Sequence, residues 1–173
     1  MIKTGTKFIS QKMKHKDVSY LSIQNLVDQL ARKIKASGND FDLILGIARG
    51  GCIPSTMLSY RLNNVNVRML QLSSYTDKER GEVFMEHFDN NCLEYIKQMN
   101  AHVLIVDDLS DSGHTFSFLV NKFLERGIHH KTAALYRKEH TKFVPDYYAA
   151  QLPQDVWIHF PWEWDRRNLY TEG

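Results

Sequence analysis

The segment Val103–Thr115, with the sequence VLIVDDLSDSGHT, constrains the fold of this chain more than any other. Four apolar residues are followed by two adjacent acids, by a short loop of small residues, and then by apolar residues at helical spacing. This order predicts a buried strand with an acidic tip and a loop that leads into a helix. Such a loop offers backbone N–H groups and a helix N-terminus to a phosphate, while Asp107 and Asp108 suit ribose hydroxyls or a magnesium shell.

Strands and helices are predicted to alternate along the rest of the chain. We predict helices at 22–36, from Pro54 onward, at 93–99 and at 116–126, and strands at 41–48, 65–72, 82–88, 103–107 and 132–136. This alternation favours an α/β fold with an open, mainly parallel, twisted sheet flanked by helices. Ligands of such sheets bind at the carboxyl ends of the strands, and the loop from Asp107 to Thr115 lies at such an end.

Length and composition fit a single domain preceded by a basic extension. The chain has 173 residues, and we divide it into a lysine-rich extension, 1–17, and one domain, 18–173. A net charge of +2 gives no general signature of nucleic-acid binding, and no apolar run is long enough to span a membrane. The two cysteines lack a metal-ligand spacing, which favours a reducing cytoplasm over a disulfide framework.

A second glycine-containing loop follows the predicted strand at 41–48. Its sequence, Gly46–Gly51, is GIARGG, and it precedes the helix that contains Pro54. Glycines allow backbone N–H groups to approach an anion, and Arg49 adds a positive charge. The loop is therefore a candidate cradle for pyrophosphate, although an ordinary strand-to-helix turn would also use glycine in this way.

Together the two loops resemble those of the type I phosphoribosyltransferases, which bind phosphoribosyl pyrophosphate (PRPP). The resemblance implies that Asp107 and Asp108 contact the ribose hydroxyls. The residues that it assigns to the 5′-phosphate are Asp111, Ser112, Gly113, His114 and Thr115. The residues that it assigns to the pyrophosphate are Arg49, Gly50 and Gly51. It also implies that the polar run that includes Ser74, Tyr75 and Arg80 is a mobile loop over the reacting centre. A plain solvated hairpin is the alternative for that polar run.

The C-terminal third resembles the xanthine-guanine phosphoribosyltransferases in particular. Lys138 follows the strand predicted at 132–136, and the segment 153–163 contains the triplets PQD and PWE and the pair WI, which resemble that family. The resemblance implies a small hood at about 138–165 with Lys138, Trp157 and Ile158 at the base. An aromatic ring can stack on a purine, and an ammonium can donate to a 6-oxo group.

The reaction implied by the resemblance joins a 6-oxopurine (guanine, xanthine or hypoxanthine) to PRPP, forming the nucleoside 5′-monophosphate and pyrophosphate. Asp111 is then the general base that takes a proton from the purine imidazole ring. Magnesium is the implied cofactor, with Asp108 and Glu163 as its protein ligands. The implied partners are PRPP, the purine base and further copies of the chain in a homo-oligomer, with no membrane and no nucleic acid.

Two other classes fit parts of the pattern. A regulatory protein with the same fold would bind PRPP or nucleotides with little catalysis, but it would be expected to present a basic face. A phosphate-accepting receiver domain shares an acidic strand end and a late lysine, but it does not explain the loop that follows Asp108.

Several residues depart from the family pattern or receive no role. Glu139 follows Lys138 where proline is usual and could pair with the lysine, and His114 replaces a small residue. Ser112 stands in place of threonine and Glu163 in place of aspartate. The histidines without metal-ligand spacing, which we leave unassigned, are His15, His87, His102, His140 and His159.

Overall fold

The computed structural model describes residues 13–63, 66–76, 83–87 and 90–163. The strands are β1 (Lys14–Asp17), β2 (Leu43–Ala48), β3 (Asn66–Gln71), β4 (Ser73–Thr76), β5 (Val83–His87), β6 (Val103–Ser110), β7 (His130–Lys138), β8 (Tyr147–Leu152) and β9 (Val156–His159). The helices are α1 (Tyr20–Ala36), α2 (Cys52–Arg61), α3 (Asn90–Gln98) and α4 (His114–Glu125).

A five-stranded sheet in the order β3-β2-β6-β7-β8 forms the centre of the molecule, and every pair of neighbours in it is parallel. The predicted α/β class with an open, mainly parallel sheet is confirmed. Two further pairs lie outside this sheet: β1 pairs with β9 in parallel, and β4 pairs with β5 as an antiparallel hairpin.

Both faces of the central sheet are covered, which makes three layers. Leu104 and Val106 of β6 point to the layer of α1 and α2, and Val103 and Ile105 point to the layer of α3 and α4. All four side chains are fully buried. Strands buried on both faces have continuous apolar sequences, which is why the sequence predicts this strand well.

Helix α1 shows how the local sequence sets an element's ends. Ser19 caps its N-terminus, because its Oγ accepts a hydrogen bond from the Ser22 N–H at 3.1 Å. One face of the helix carries Ile23, Val27, Leu30 and other apolar residues into the core. Within the described residues, no helix combines the length and apolarity that a membrane crossing requires.

The hood is predicted at about 138–165; from here on, the word means the paired strands β1 and β9 together with residues 160–163. Lys14 lies opposite Val156 and Asp17 opposite His159. Ile158 and Phe160 are buried in the same apolar cluster as α1. The end of the predicted extension thus takes part in the hood, and the division at residue 17 stays a prediction.

The structure differs from the predicted elements mainly at their ends and in the C-terminal third. The strand predicted at 103–107 continues to Ser110, because Leu109 and Ser110 pair with Tyr136 and Arg137 of β7. Helix α4 begins at His114, two residues before the predicted start. Strand β8 is absent from the predicted elements, and it extends the sheet by pairing with β7.

The start of α4 depends on a glycine. Gly113 has φ +87°, and a Cβ placed there would lie 2.6 Å from the backbone nitrogen of Phe143. Gly38 has a similar φ of +71°, but nothing lies within 4 Å of the position that a Cβ would take there. The two glycines therefore share the same conformational requirement and differ only in the space available.

We expect Gly113→Ala to destabilise the protein more than Gly38→Ala. The control variant should lose about 1–2 kcal/mol, the cost of a left-handed conformation for alanine. Gly113→Ala should lose at least about 3 kcal/mol, because its Cβ also meets packed backbone. Urea unfolding of both variants measures the difference, and equal losses would show that the loop at 113 yields without cost.

Candidate active site

Three connections that carry predicted site residues begin where β2, β6 and β7 end. These neighbouring parallel strands finish at Ala48, Ser110 and Lys138, so their carboxyl ends share one edge of the sheet. The β2–α2 connection contains Arg49, Gly50 and Gly51, and the peptide bond between Ala48 and Arg49 is cis. The site is therefore assembled at the edge where parallel sheets bind their ligands.

The candidate pyrophosphate loop packs directly against the acidic tip of β6. A Cβ on Gly50 would lie 2.5 Å from both carboxylate oxygens of Asp108. Only glycine leaves room for that carboxylate, so Gly50 has a steric role that the sequence does not reveal. Asp108 in turn comes within the electrostatic range of Glu163, which follows the hood strand β9. The predicted pair of metal ligands thus lies in one region.

The environment of the two acids at the tip of β6 disfavours their charged forms. Burial raises the pKa of Asp107 well above its ordinary value, and the neighbouring Asp108 charge raises it further. Burial, followed by repulsion from Glu163, raises the pKa of Asp108 to about 6. Carboxylate oxygens are the ligands that Mg²⁺ prefers, and a bound cation would relieve this repulsion. Asp108 and Glu163 are thus the residues that could hold a metal.

Residues 111–115, predicted to bind the 5′-phosphate and called here the phosphate loop, turn from β6 into the first residues of α4. The Ser112 Oγ accepts a hydrogen bond from the His114 N–H at 3.4 Å and lies 3.2 Å from the His114 Nδ1. The His114 ring therefore contacts Ser112 across the turn. Ser112 and His114 are exposed, while Thr115 is half-buried in the first turn of the helix. The N-terminal N–H groups of α4 supply donors of the kind that bind an anion.

The connection between β7 and β8, to which the sequence analysis assigns no role, packs against the phosphate loop. We call residues 139–146, which join β7 to β8, the return loop. Because β7 and β8 are parallel, the chain must run back past β7 before β8 begins, and Tyr147 at the start of β8 pairs with Ala133. The Lys142 N–H donates to the Ser112 carbonyl at 3.1 Å. The Phe143 ring stacks on Phe116 of α4 at 5.4 Å between centroids.

Asp111, the predicted general base, contacts a histidine of the return loop. The Nε2 of His140 lies 3.5 Å from the Asp111 Oδ1, and the side chains are 36% and 55% exposed respectively. The sequence gives His140 no role, because it lacks metal-ligand spacing. Spacing along the chain does not reveal the contact, since it depends on the path of the return loop.

The Lys138 side chain is buried and donates its hydrogen bonds to the protein itself, whereas the sequence analysis expects it at the base. Its side chain is only 3% exposed, and its ammonium donates to the carbonyl oxygens of Pro153, Gln154 and Val156. Glu139 accepts instead from the Gln151 amide at 3.3 Å, so the anticipated pairing of Glu139 with the lysine is not formed. The cation therefore lies at the junction of the sheet and the hood.

The other residues predicted at the base differ in accessibility. Trp157 is 51% exposed, as a stacking surface for a flat base requires. The side chain of Ile158 is buried in the core, so this residue could reach a ligand only through its backbone. Of the predicted mobile loop, Ser74 and Tyr75 belong to β4 of the hairpin, and Arg80 lies outside the described residues.

Comparison with known proteins places this arrangement in a family. The family model of the phosphoribosyl transferase domain matches residues 19–167, which include both loops, the acidic tip and most of the hood.

The chain belongs to the phosphoribosyl transferase domain family.

Individual phosphoribosyltransferases agree with that assignment over most of their length. The xanthine-guanine phosphoribosyltransferase of Idiomarina loihiensis is 31% identical over 151 residues, covering 84% of this chain and 85% of the relative. That of Chromohalobacter salexigens is 33% identical over 144 residues, covering 79% of this chain and 80% of the relative. The crystal structure of a purine phosphoribosyltransferase from Pyrococcus horikoshii Ot3 has a TM-score of 0.70 and 30% identity, covering 88% of this chain and 97% of that one. The resemblance stated from the sequence is confirmed.

We expect Asp108→Asn to stabilise this phosphoribosyltransferase-family chain in the absence of divalent cations. A carboxyl whose pKa is raised by folding contributes stability below its unfolded pKa of 3.8, and that contribution is lost as the pH rises through about 6. At pH 7.5 the variant should therefore be more stable than the wild type by about 1–2 kcal/mol, less than the full shift implies because the site is partly solvated.

Thermal unfolding at several pH values measures this effect. The variant's advantage should shrink as the pH falls from 7.5 to 4, and added Mg²⁺ should raise the melting temperature of the wild type more than that of the variant. Asp40→Asn, an exposed aspartate near the opposite edge of the sheet, is the control. An equal response of both variants to Mg²⁺ would remove Asp108 from the metal site.

Proposed function

We propose that this chain transfers the phosphoribosyl group of PRPP to a 6-oxopurine and releases pyrophosphate. The observation that carries the proposal is the packing of the Gly50 backbone against the Asp108 carboxylate, beside the phosphate loop that follows β6. One edge of the sheet thereby offers hydrogen-bond donors for the 5′-phosphate and the pyrophosphate, and carboxylates for the ribose hydroxyls. The xanthine-guanine and purine phosphoribosyltransferases to which the chain is similar support the same reaction.

The choice of base is proposed from the hood. Trp157 provides an exposed ring on which a purine can stack, and the Lys138 ammonium is a donor. A 6-oxopurine offers a carbonyl oxygen in exchange for one of the carbonyls that Lys138 now contacts. Adenine offers an amino donor at that position, which cannot accept a hydrogen bond from the ammonium, so we expect adenine to be rejected.

The chain's own residues supply the other parts of the reaction. Asp111 takes the proton from the purine imidazole nitrogen, and that nitrogen forms a bond to C1 of the ribose. The bond between C1 and the pyrophosphate oxygen breaks, and its electron pair leaves with the pyrophosphate. Arg49 and the backbone N–H group of Gly50 stabilise the growing negative charge, whereas the Gly51 N–H already donates to the Ile47 carbonyl at 2.7 Å and holds the turn. Asp107 and Asp108 hold the ribose hydroxyls.

Magnesium fits the acidic groups that surround the leaving group. Among the described residues, no three side chains of histidine, cysteine or acid form a complete metal cage. Mg²⁺ commonly takes one or two carboxylates and completes its shell with water and substrate oxygens, so Asp108 and Glu163 would be sufficient protein ligands. When bound, the ion would neutralise charge on the pyrophosphate.

The β4–β5 hairpin and the assembly state complete the proposal. We assign the segment that contains Ser74, Tyr75 and Arg80 to the cover of the reacting centre, because a sugar cation must be kept from water. We also assign the chain to a homo-oligomer, on the resemblance to its family. No membrane and no nucleic acid is needed for the reaction.

Pyrophosphate release tests the proposed function directly. With PRPP and Mg²⁺, we expect turnover with guanine, xanthine or hypoxanthine, and none with adenine. A radiolabelled base identifies the nucleoside monophosphate as the product. Binding of PRPP without turnover of any purine would contradict the proposal and favour a regulatory protein.

Asp111→Asn should lower turnover by about 100-fold or more while leaving most of the PRPP affinity intact. The amide keeps the shape of the carboxylate but cannot accept the purine proton, and general bases contribute about 10²–10⁴-fold. Steady-state kinetics separate kcat from the KM for PRPP. Unchanged turnover would remove Asp111 from the role of general base.

Trp157→Ala should raise the KM for the purine by about 10-fold or more with little change in the KM for PRPP. Loss of one stacking surface commonly costs about 1–3 kcal/mol per base. Tyr60→Ala, which removes an aromatic side chain that is 73% exposed on α2, is the matched control. A similar change in both variants would show that Trp157 does not meet the base.

A further inference from the structure

We propose that His140 is a positioning residue for the Asp111 carboxylate. This inference rests on the proposed function, in which Asp111 removes the purine proton. His140 holds one carboxylate oxygen so that the other faces the base. A residue of the return loop, which touches neither ribose nor phosphate in the proposed scheme, would thereby set the efficiency of proton removal.

The contact joins the two groups through defined atoms. The His140 Nε2 lies 3.5 Å from Oδ1 of Asp111. Among the described residues, His140 is the one basic side chain paired with this carboxylate. Both the imidazolium and the neutral tautomer with a proton on Nε2 can donate in this direction. The distance is long for a hydrogen bond, and catalytic contacts of this kind commonly shorten when the substrate binds.

Neighbouring contacts hold both partners in place. On the side of Asp111, the Oγ of Ser110 lies 3.0 Å from the Thr141 Oγ1 and donates to the Phe143 carbonyl at 2.9 Å. On its other side, the Ser112 carbonyl accepts from the Lys142 N–H at 3.1 Å. Residues on both sides of the aspartate are therefore tied to residues just after the histidine.

The glycine of the phosphate loop tightens this arrangement. Gly113 allows the backbone of Phe143 to approach so closely that any Cβ would clash with it. The Phe143 ring in turn stacks on Phe116 at an interplanar angle of 11°. The Thr141 N–H also donates to the Lys138 carbonyl at 3.3 Å, so the backbone that carries His140 is held in a turn at the end of β7. The contact between His140 and Asp111 is therefore held in place by the packing of the return loop against the phosphate loop.

The chemical consequence is orientation of the base. A carboxylate attached to a loop rotates about its side-chain bonds, and only some rotations direct an oxygen at the purine imidazole nitrogen. A donor on Oδ1 selects one set of these rotations and leaves Oδ2 free to accept the proton. The proton passes from the purine nitrogen to Oδ2, while the contact between His140 and Oδ1 stays in place.

The test compares His140→Ala and His140→Gln with the wild type. His129→Ala is the matched control, because His129 is exposed and lies just before β7, at the opposite edge of the sheet. The rate is measured in a single turnover, with enzyme in excess over guanine and with saturating PRPP and Mg²⁺, so that product release does not limit it. Affinity for PRPP is measured separately by calorimetry.

We expect His140→Ala to lower the single-turnover rate about tenfold and to leave the PRPP affinity within about twofold of the wild type. His140→Gln should recover part of the rate, because its amide N–H can donate to the same oxygen. His129→Ala should match the wild type. In the Asp111→Asn background, His140→Ala should cause no further loss, since there is no longer a carboxylate to orient.

The opposing outcomes are distinct from one another. A rate for His140→Ala equal to that of the wild type would overturn the inference alone. So would a loss of PRPP affinity without rescue by glutamine, or a full additional loss in the Asp111→Asn background, because either points to a structural role. A wild-type protein that binds PRPP but converts no 6-oxopurine would instead overturn the proposed function, and with it the role of His140.

Discussion

Burial of β6 on both faces is the constraint on which the rest of the site depends. The alternating side chains from Val103 to Val106 enter two separate cores, so the strand has no place for a charge until it leaves the packed layers. Its first acids, Asp107 and Asp108, therefore appear at the carboxyl end. Because β2 and β7 run parallel to β6, their ends meet the same edge and bring the glycine loop and Lys138 to it. The site follows from the packing of the sheet.

Much of the central fold could be predicted because the spacing of apolar residues and the residue types of a loop are properties of short stretches of sequence. Helix α1 and the apolar part of β6 follow directly from them. Strand β1, with the sequence KHKD and all four residues exposed, has no apolar pattern and exists only because β9 pairs with it. Similarly, Leu109 and Ser110 extend β6 because β7 is long enough to pair with them. Such pairing is a tertiary effect that no local window of sequence contains.

The candidate site shows the same division. The residue types of the two loops could be interpreted from the sequence, since acids and glycines have few uses at a strand end. Three relationships could not: the steric fit of Gly50 to Asp108, the repulsion between Asp108 and Glu163, and the contact of His140 with Asp111. Each joins residues that are distant in sequence through the path of a loop or the hood. The residue types therefore suggest which groups each loop could bind, whereas the path of the chain determines which side chains contact one another.

Lys138, which we propose to contact the base, also stabilises the fold. Its buried ammonium donates to three carbonyl oxygens, two between β8 and β9 and one at the first residue of β9. A substitution that altered base preference there would also leave those oxygens without their donor, and the fold would be weakened along with the chemistry. Selection on stability therefore opposes drift at this position. Divergence in purine preference should accumulate instead at exposed neighbours such as Glu139 and Trp157, whose replacement leaves the core untouched.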